Sequence, residues 1–353
     1  MRIWLVGFGT VGQWLARVLS QQAGPLYTRY GVVPQVVGIA SGHGGFVYAP
    51  DGLDLAAALD AAGAGRPLAG LPGAQHWPST LAGLRATAAD LLVEVSASPP
   101  EDGEPGLSHL REALGRGIPV VTSNKWPVAV DGVGLAALAR DRRVPFRAES
   151  AVMSGTPVLS ALTEGLAGAR PRSLRGLLNA TVNDILTRMA GGQSYPEALA
   201  AAQHAGLAEP DPTADVGGGD EVAKVMILSA LVFGRQLTRA DVACRGIAGL
   251  PGRALDEARV AGGTLRHVAS LSFAGPGGTG AVAARVELEV VRPGDRLAGI
   301  DGAVNGLSCR ADPVGEVTVI GPGAGPELAG QGVLSDLIAV ARATRPGLSP
   351  SRD

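Results

Sequence analysis

The apolar positions of this chain switch between two periods. Residues 2–6 form an apolar run of strand length that stops at Gly7, and Leu15, Val18 and Leu19 then recur at helical spacing. Another run, "PQVVGIA", predicts a second strand ending near Ala40, and "DLLVEVSAS" (Asp90 to Ser98) and "IPVVTSNKWP" (Ile118 to Pro127) predict two more. Between the last two, "GEPGLSHLREALGRG" reads as a helix closed by Gly117. Strand, helix, strand implies right-handed crossovers and a parallel sheet, whose ligands sit beyond the carboxyl ends of the strands. Further on, "SLRGLLNATVNDILTRM" is a strand followed by the polar break Asn179 to Asn183. "SYPEALAAAQHAG" is a helix with Ser194 as cap, Glu197 three residues on and Gly206 as stop. Pro210, Pro212 and the three glycines after Val216 keep Glu209, Asp211 and Asp215 on a stiff loop. From Asp220, "DEVAKVMILSALVFG" is apolar on nearly every face, as a buried helix is. Finally, "GAVAARVELEVVRPGDRLAGI" alternates as antiparallel strands do.

Length and charge narrow the class. A chain of 353 residues, 46% hydrophobic and 18% charged, is expected to bury an ample core, as two connected domains or one large α/β unit. A net charge of −2 supplies no basic field for nucleic acid or an anionic membrane, so a small molecule is the expected partner. Cys244 and Cys309 form neither a disulfide framework nor a metal-ligand spacing. The chain starts directly on a strand pattern without a leader, and its longest apolar run, after Lys224, is too short to span a bilayer. A cytoplasmic protein is expected.

The candidate chemistry begins at Gly7-Phe8-Gly9-Thr10-Val11-Gly12, between the first strand and its helix. Gly7 suits the tight turn, Gly9 lets backbone approach a pyrophosphate, and Gly12 allows close packing of helix on strand, so a dinucleotide is the expected ligand. No Asp or Glu precedes Asp51, and the second strand runs instead into Ser41, Gly42 and His43. Without a carboxylate for the ribose hydroxyls, NADP is favoured and NAD remains possible; His43 is either a phosphate contact or a solvated loop residue. Ser96, Ser98, Ser123 and Lys125 fall at the ends of later strands, on the cofactor side. Of the 30 Lys and Arg residues only Lys125 and Lys224 are lysines. Arginine does not give up its proton, whereas a partly buried lysine exchanges one, so both are candidates for proton transfer. Asp220 and Lys224, four apart, share one helix face; the plain alternative is an i,i+4 pair supporting the helix. The loop acids suit an ammonium group and the lysine an oxyanion, together a small zwitterion. Asn179 and Thr181 are either substrate contacts or helix caps, His204 is a dipole partner, and Asp211 and Glu221 read as solvated. Glu149, ahead of the turn Ser154 to Pro157, is a candidate hard-cation ligand, with Pro157 in the first turn of a following helix.

In this order the motifs "GFGTVG", "TSNKWPVA", "AESAVMSGTPVL", "NDILTRM", "GLAEPDPTADVGGGDEVAK", "GEVTVIGPGAG" and "VLSDLIA" resemble those of the homoserine dehydrogenase family. The resemblance covers nearly the whole chain. It implies NAD(P)-dependent interconversion of L-homoserine and L-aspartate 4-semialdehyde in threonine and methionine biosynthesis, by a homodimer. It also implies roles: Glu209, Asp215 and Thr181 bind substrate, Asp220 and Lys224 form the catalytic pair, and Lys125 belongs to the family's Asn-Lys motif. Glu149, Val152 and Ser154 fall where the family holds a monovalent cation, Na or K, and Gly323 lies in the segment that closes on the cofactor. The implied fold is α/β: a Rossmann-type doubly wound parallel sheet at 1–130, completed by 309–345, an α+β catalytic and dimerisation domain at 131–308, and a tail at 346–353. The family-like pattern ends near Ala343, so neither an ACT domain nor a fused aspartokinase is expected. Met153, Ser154, Ala180, Leu207 and Ser96-Ala97-Ser98 depart from the family's usual residues. They leave open a relative acting on another amino aldehyde, or a dinucleotide-binding regulator without turnover.

Overall fold

The computed structural model describes residues 1–42, 44–274 and 280–344, in two compact units: Met1–Ala151 with the segment from Gly325 onward, and Val152–Ala324. The first unit holds strands β1 (Arg2–Val6), β2 (Gln35–Ser41), β3 (Gly45–Tyr48), β4 (Gln75–Trp77), β5 (Leu91–Glu94), β6 (Val120–Thr122) and β7 (Phe146–Arg147), in the spatial order β4-β3-β2-β1-β5-β6-β7. Strands β2, β1, β5, β6 and β7 run parallel, while β3 and β4 each pair antiparallel with the preceding strand of the chain. Alternation along β1 explains the double winding. Ile3 and Leu5 enter one buried cluster with Leu15, Leu19 and Ile39, while Trp4 and Val6 enter a second with Val37, Leu92, Leu110 and Leu114. Each such side chain contributes about 1.5–3 kcal/mol on burial. The helix Pro326–Thr344 adds Val333, Leu334, Leu337 and Val340 to the first cluster. Its Gly330 lies so close to Trp14, on the helix Thr10–Gln21, that a Cβ there would come within 2.1 Å of the indole.

Two expectations change in this unit. The strand predicted over 118–127 is only β6, and a helix begins at Lys125 and runs to Arg142, with a break at Asp131 (φ −142°, ψ 37°). Asn124, with extended φ and ψ, is its N-cap, and Pro127 falls in the first turn, where its missing N–H costs nothing. The boundaries expected near 130 and 309 lie at 151 and 325, because β7 adds to the first sheet while residues 304–322 pair in the second.

The second unit holds β8 (Arg170–Leu177), β9 (Val242–Cys244), β10 (Thr264–Phe273), β11 (Val282–Val291), β12 (Val304–Asp312) and β13 (Gly315–Pro322), in the order β13-β12-β8-β10-β11-β9. All neighbours are antiparallel except β9 on β11, and β10 pairs with β11 in unbroken register from Thr264 opposite Val291 to Phe273 opposite Val282. The helices Ala180–Ala190 and Tyr195–His204 build a core of Ile185, Leu186, Met189, Ala198 and Ala202 with Val216, Ile247 and Leu255. The helix Gly219–Val232 is buried from Glu221 to Ala230. Pro157 precedes its helix instead of entering it, since helical backbone resumes at Leu159. Among the described residues no helix is long and apolar enough to cross a membrane.

Candidate active site

In the first unit the glycine turn follows β1. Gly7 has φ +99°, and a Cβ there would meet the Ser96 nitrogen at 2.5 Å, so only glycine fits. A Cβ at Gly12 would lie 2.0 Å from the Gly7 carbonyl oxygen, whereas one at Gly9 would meet nothing within 4 Å. The turn thus has a closed side against protein and an open side at Gly9. The open side faces a cavity of about 790 Å³ lined among others by Gly7, Phe8, Gly9, Ser41, Ser96 and His109. Its size and the exposed backbone suit a dinucleotide. Phe8 presents backbone here, since its ring belongs to the buried core. Thr10 and Val11 open the helix, Thr10 exposed and Val11 half-buried. His43 lies outside the described residues.

Beyond β5 and β6 the strand ends are cross-linked by a buried carboxylate. Glu94, fully buried, accepts from the Ser96 N–H (3.2 Å) and, through a very short bond, from the Ser96 hydroxyl. The Thr122 hydroxyl donates to the Glu94 carbonyl oxygen (2.8 Å) and accepts from the Asn124 N–H (3.0 Å). The Asn124 side chain donates to Ser98 (2.8 Å), and the Ser123 N–H donates to the Glu94 carbonyl (3.2 Å). Ser98 and Ser123 therefore join the lattice that shapes the strand ends, while Ser96 also lines the cavity. Lys125, half-buried, starts the helix that follows.

In the second unit the lysine sits where its sequence surroundings predict. Lys224 is buried on its helix, and its Nζ lies 2.7 Å from Asp220 Oδ2 and donates to the Leu178 carbonyl at 2.5 Å. Asn179, the N-cap of the helix Ala180–Ala190, accepts from the Val182 N–H while its amide donates to Asp215 (2.8 Å) and Asp220 (3.4 Å). Capping and site-building are thus one residue's work. Thr181 commits its hydroxyl proton to the Leu207 carbonyl (2.7 Å), which fixes the start of the acid loop. Glu209 is exposed on that loop, and Asp215 sits on a short helix, Thr213–Val216, instead of the expected irregular backbone. Asp211, two residues ahead of that helix's first residue, accepts from the hydroxyl and N–H of Thr213, and these bonds lower its pKa. Asn305, fully buried, donates to the same Leu178 carbonyl (3.3 Å) and packs so tightly on Gly323 that a Cβ there would reach 2.3 Å from its side chain.

Sequence reasoning missed Glu221. Expected to be solvated, it is buried, and His267 on β10 places Nδ1 2.9 Å from its carboxylate. The signal was a histidine within an apolar strand, 46 residues away. Of the three residues expected to hold a monovalent cation, Glu149 is buried in the first unit and gives its backbone N–H to Asp336 (2.8 Å). Val152 is buried in the second unit, and Ser154, in left-handed conformation (φ +52°), gives its hydroxyl proton to the Gly323 carbonyl (3.2 Å). No cluster of three or more His, Cys, Asp or Glu suited to a metal occurs among the described residues.

The family model described as homoserine dehydrogenase matches residues 157–338. The NAD(+)-dependent homoserine dehydrogenase of Pseudomonas canavaninivorans is 38% identical over 334 residues, 95% of this chain and 94% of that protein. The homoserine dehydrogenase of Methanocaldococcus jannaschii is 34% identical over 346 residues, 98% and 100% of the two chains. The structure of a hyperthermophilic archaeal homoserine dehydrogenase in complex with NADPH superposes with a TM-score of 0.79 at 28% identity, covering 99% of each chain.

Proposed function

The chain belongs to the homoserine dehydrogenase family of NAD(P)-dependent oxidoreductases, and on that footing we propose that Lys224, oriented by Asp220, exchanges the proton when L-homoserine and L-aspartate 4-semialdehyde are interconverted. The observation that carries this reading is the Lys224 ammonium: a buried nitrogen with three N–H groups, two of them directed to Asp220 and the Leu178 carbonyl, leaving one for a substrate oxygen. Glu209 and Asp215 bind the substrate ammonium group; Asn179 holds Asp215, and Thr181 holds the loop at Leu207. Gly7 to Gly12, with Ser41, bind the pyrophosphate and adenosine side, and Ser96, Ser98 and Ser123 shape the nicotinamide side. The bound nicotinamide supplies the hydride chemistry. Lys125, at a helix start beyond β6, is the second proton-transfer candidate. The absence of a carboxylate at the end of β2 supports use of both NAD and NADP, with NADP favoured. A Na or K ion at Glu149, Val152 and Ser154, a cytoplasmic homodimer and a place in threonine and methionine biosynthesis complete the proposal.

The test is spectrophotometric oxidation of homoserine with NAD and with NADP, with and without Na or K, for wild type, Lys224→Ala and Lys125→Ala. Loss of hydride transfer in Lys224→Ala with cofactor affinity retained supports the assignment. Rapid turnover by Lys224→Ala refutes it, whatever Lys125→Ala does.

A further inference from the structure

Glu221 follows Asp220 directly on the helix that carries Lys224, and its carboxylate is buried with a single polar partner among the described residues, the His267 ring. That ring is buried too, and its other nitrogen, Nε2, lies 3.0 Å from the Arg245 carbonyl oxygen. A carbonyl only accepts, so Nε2 carries a proton, and one further proton lies between Nδ1 and Glu221. Burial lowers the imidazole pKa, but the bond to Glu221, its charge and the Arg245 carbonyl outweigh that and raise it above the ordinary value.

Arg245 belongs to a strap that lies directly behind the substrate-binding turn. The Ile247 N–H donates to the Val216 carbonyl (2.8 Å), and a Cβ on Gly246 would come within 2.2 Å of that same oxygen. The Cys244 sulfur lies 3.5 Å from the Gly217 carbonyl oxygen. One imidazole on β10 thus reaches two elements: through Nδ1 the first turn of the catalytic helix, and through Nε2 the strap against Val216 and Gly217, next to Asp215.

We infer that Glu221 and His267 are a positioning pair for this reaction, setting the placement of the substrate-binding Asp215 relative to the proton-transferring Lys224. This rests on the roles proposed above for Asp215 and Lys224. Neither Glu221 nor His267 is assigned contact with substrate. Both act through the helix and the strap, and misplacement by about 1 Å costs roughly 10²-fold in rate.

The experiment compares Glu221→Gln and Glu221→Met with wild type. The Gln amide can donate to Nδ1 while Nε2–H still donates to Arg245, so Glu221→Gln preserves both bonds and is expected to keep kcat and the KM for homoserine within about threefold. Met fills similar volume without the bond, but it removes only one partner of a buried pair and leaves the His267 Nδ1 unpaired, which destabilises the fold. Glu221→Met is therefore expected to lower the Tm, and in the folded protein to keep NADPH affinity while kcat/KM for homoserine falls roughly 10- to 100-fold. His267→Leu should show the same split from the strand side, and the double variant Glu221→Met/His267→Leu, which leaves neither partner behind, should keep its Tm, show the same kcat/KM loss and decide the matter if the single variants do not fold. Unchanged kcat/KM in folded Glu221→Met or His267→Leu overturns the inference, as does an equal loss in Glu221→Gln. Lys224→Ala, assayed alongside, separates the two ideas: turnover there refutes the proposed lysine role, whereas an inactive Lys224→Ala beside a fully active Glu221→Met refutes the positioning pair alone.

Discussion

Breaking the pair between Asp220 and Lys224 is the sharpest perturbation available. The two groups are 2.7 Å apart, with side chains only 14% and 9% exposed. At an effective dielectric of about 20 their gross attraction is about 6 kcal/mol. Desolvation of both charges cancels much of this, so the pair is a weak net stabiliser, but removing one partner leaves a buried charge uncompensated at about 3–5 kcal/mol. Asp220→Ala should therefore lose about 3 kcal/mol, toward the low end because the Leu178 carbonyl still accepts from Nζ. Lys224→Met should lose a similar amount, since Asn179 still donates to Asp220. In the double variant no charge is left behind, and it should recover at least about 2 kcal/mol relative to the sum of the singles. The assay is guanidinium unfolding of all four proteins followed by circular dichroism, with stopped-flow measurement of nicotinamide absorbance for hydride transfer. Lys224→Met should slow the chemical step roughly 10²- to 10⁴-fold, the range of a lost general acid–base. Stability losses that add to within about 0.5 kcal/mol would show that the two groups are not coupled and refute the reasoning.

Gly9→Val should leave the unfolding transition nearly unchanged, because a Cβ there meets nothing in the protein, yet raise the KM for NADPH at least about tenfold by filling the space a ligand would take. Gly330→Ala should do the reverse, lowering stability by about 1–3 kcal/mol in thermal melts through collision with Trp14 while leaving the KM for homoserine alone. Because the folded-state pKa of His267 is raised above the 6.5 of the free side chain, its contribution to stability is complete below that value and is lost as pH rises through the elevated one. The urea-unfolding free energy of wild type should thus fall more steeply above pH 6.5 than that of Glu221→Gln; parallel curves would exclude a charged pair.

What could be read from the chain was what local physics decides. The run from Arg2 to Gly12 specifies strand, turn and helix because neighbouring residues alone set the period and the positive φ of Gly7. Lys224 was legible because a lysine four residues after an aspartate on an otherwise apolar helix needs a partner. The start of the helix at Lys125 was obscured because an N-cap Asn and a first-turn Pro also suit an extended strand end, and only the packing of the sheet ends β6 at Thr122. The short helix at Asp215 escaped notice because a single turn between prolines and glycines has no period to show.

Tertiary structure alone decided the partnerships. Asn179 meets Asp215 across 36 residues, Glu221 meets His267 across 46, and the helix from Pro326 returns to pack on the first helix of the chain. Nothing near Glu221 in the chain distinguishes a solvated carboxylate from a buried one. That difference depends on whether a strand far along the chain brings an imidazole to it, since a buried charge is tolerated only where a partner meets it. The amino-acid order by itself determined which elements form and which residue types carry the chemistry, because those follow from spacing. Burial, and with it the pairing of every buried charge, was settled only when the sheets assembled.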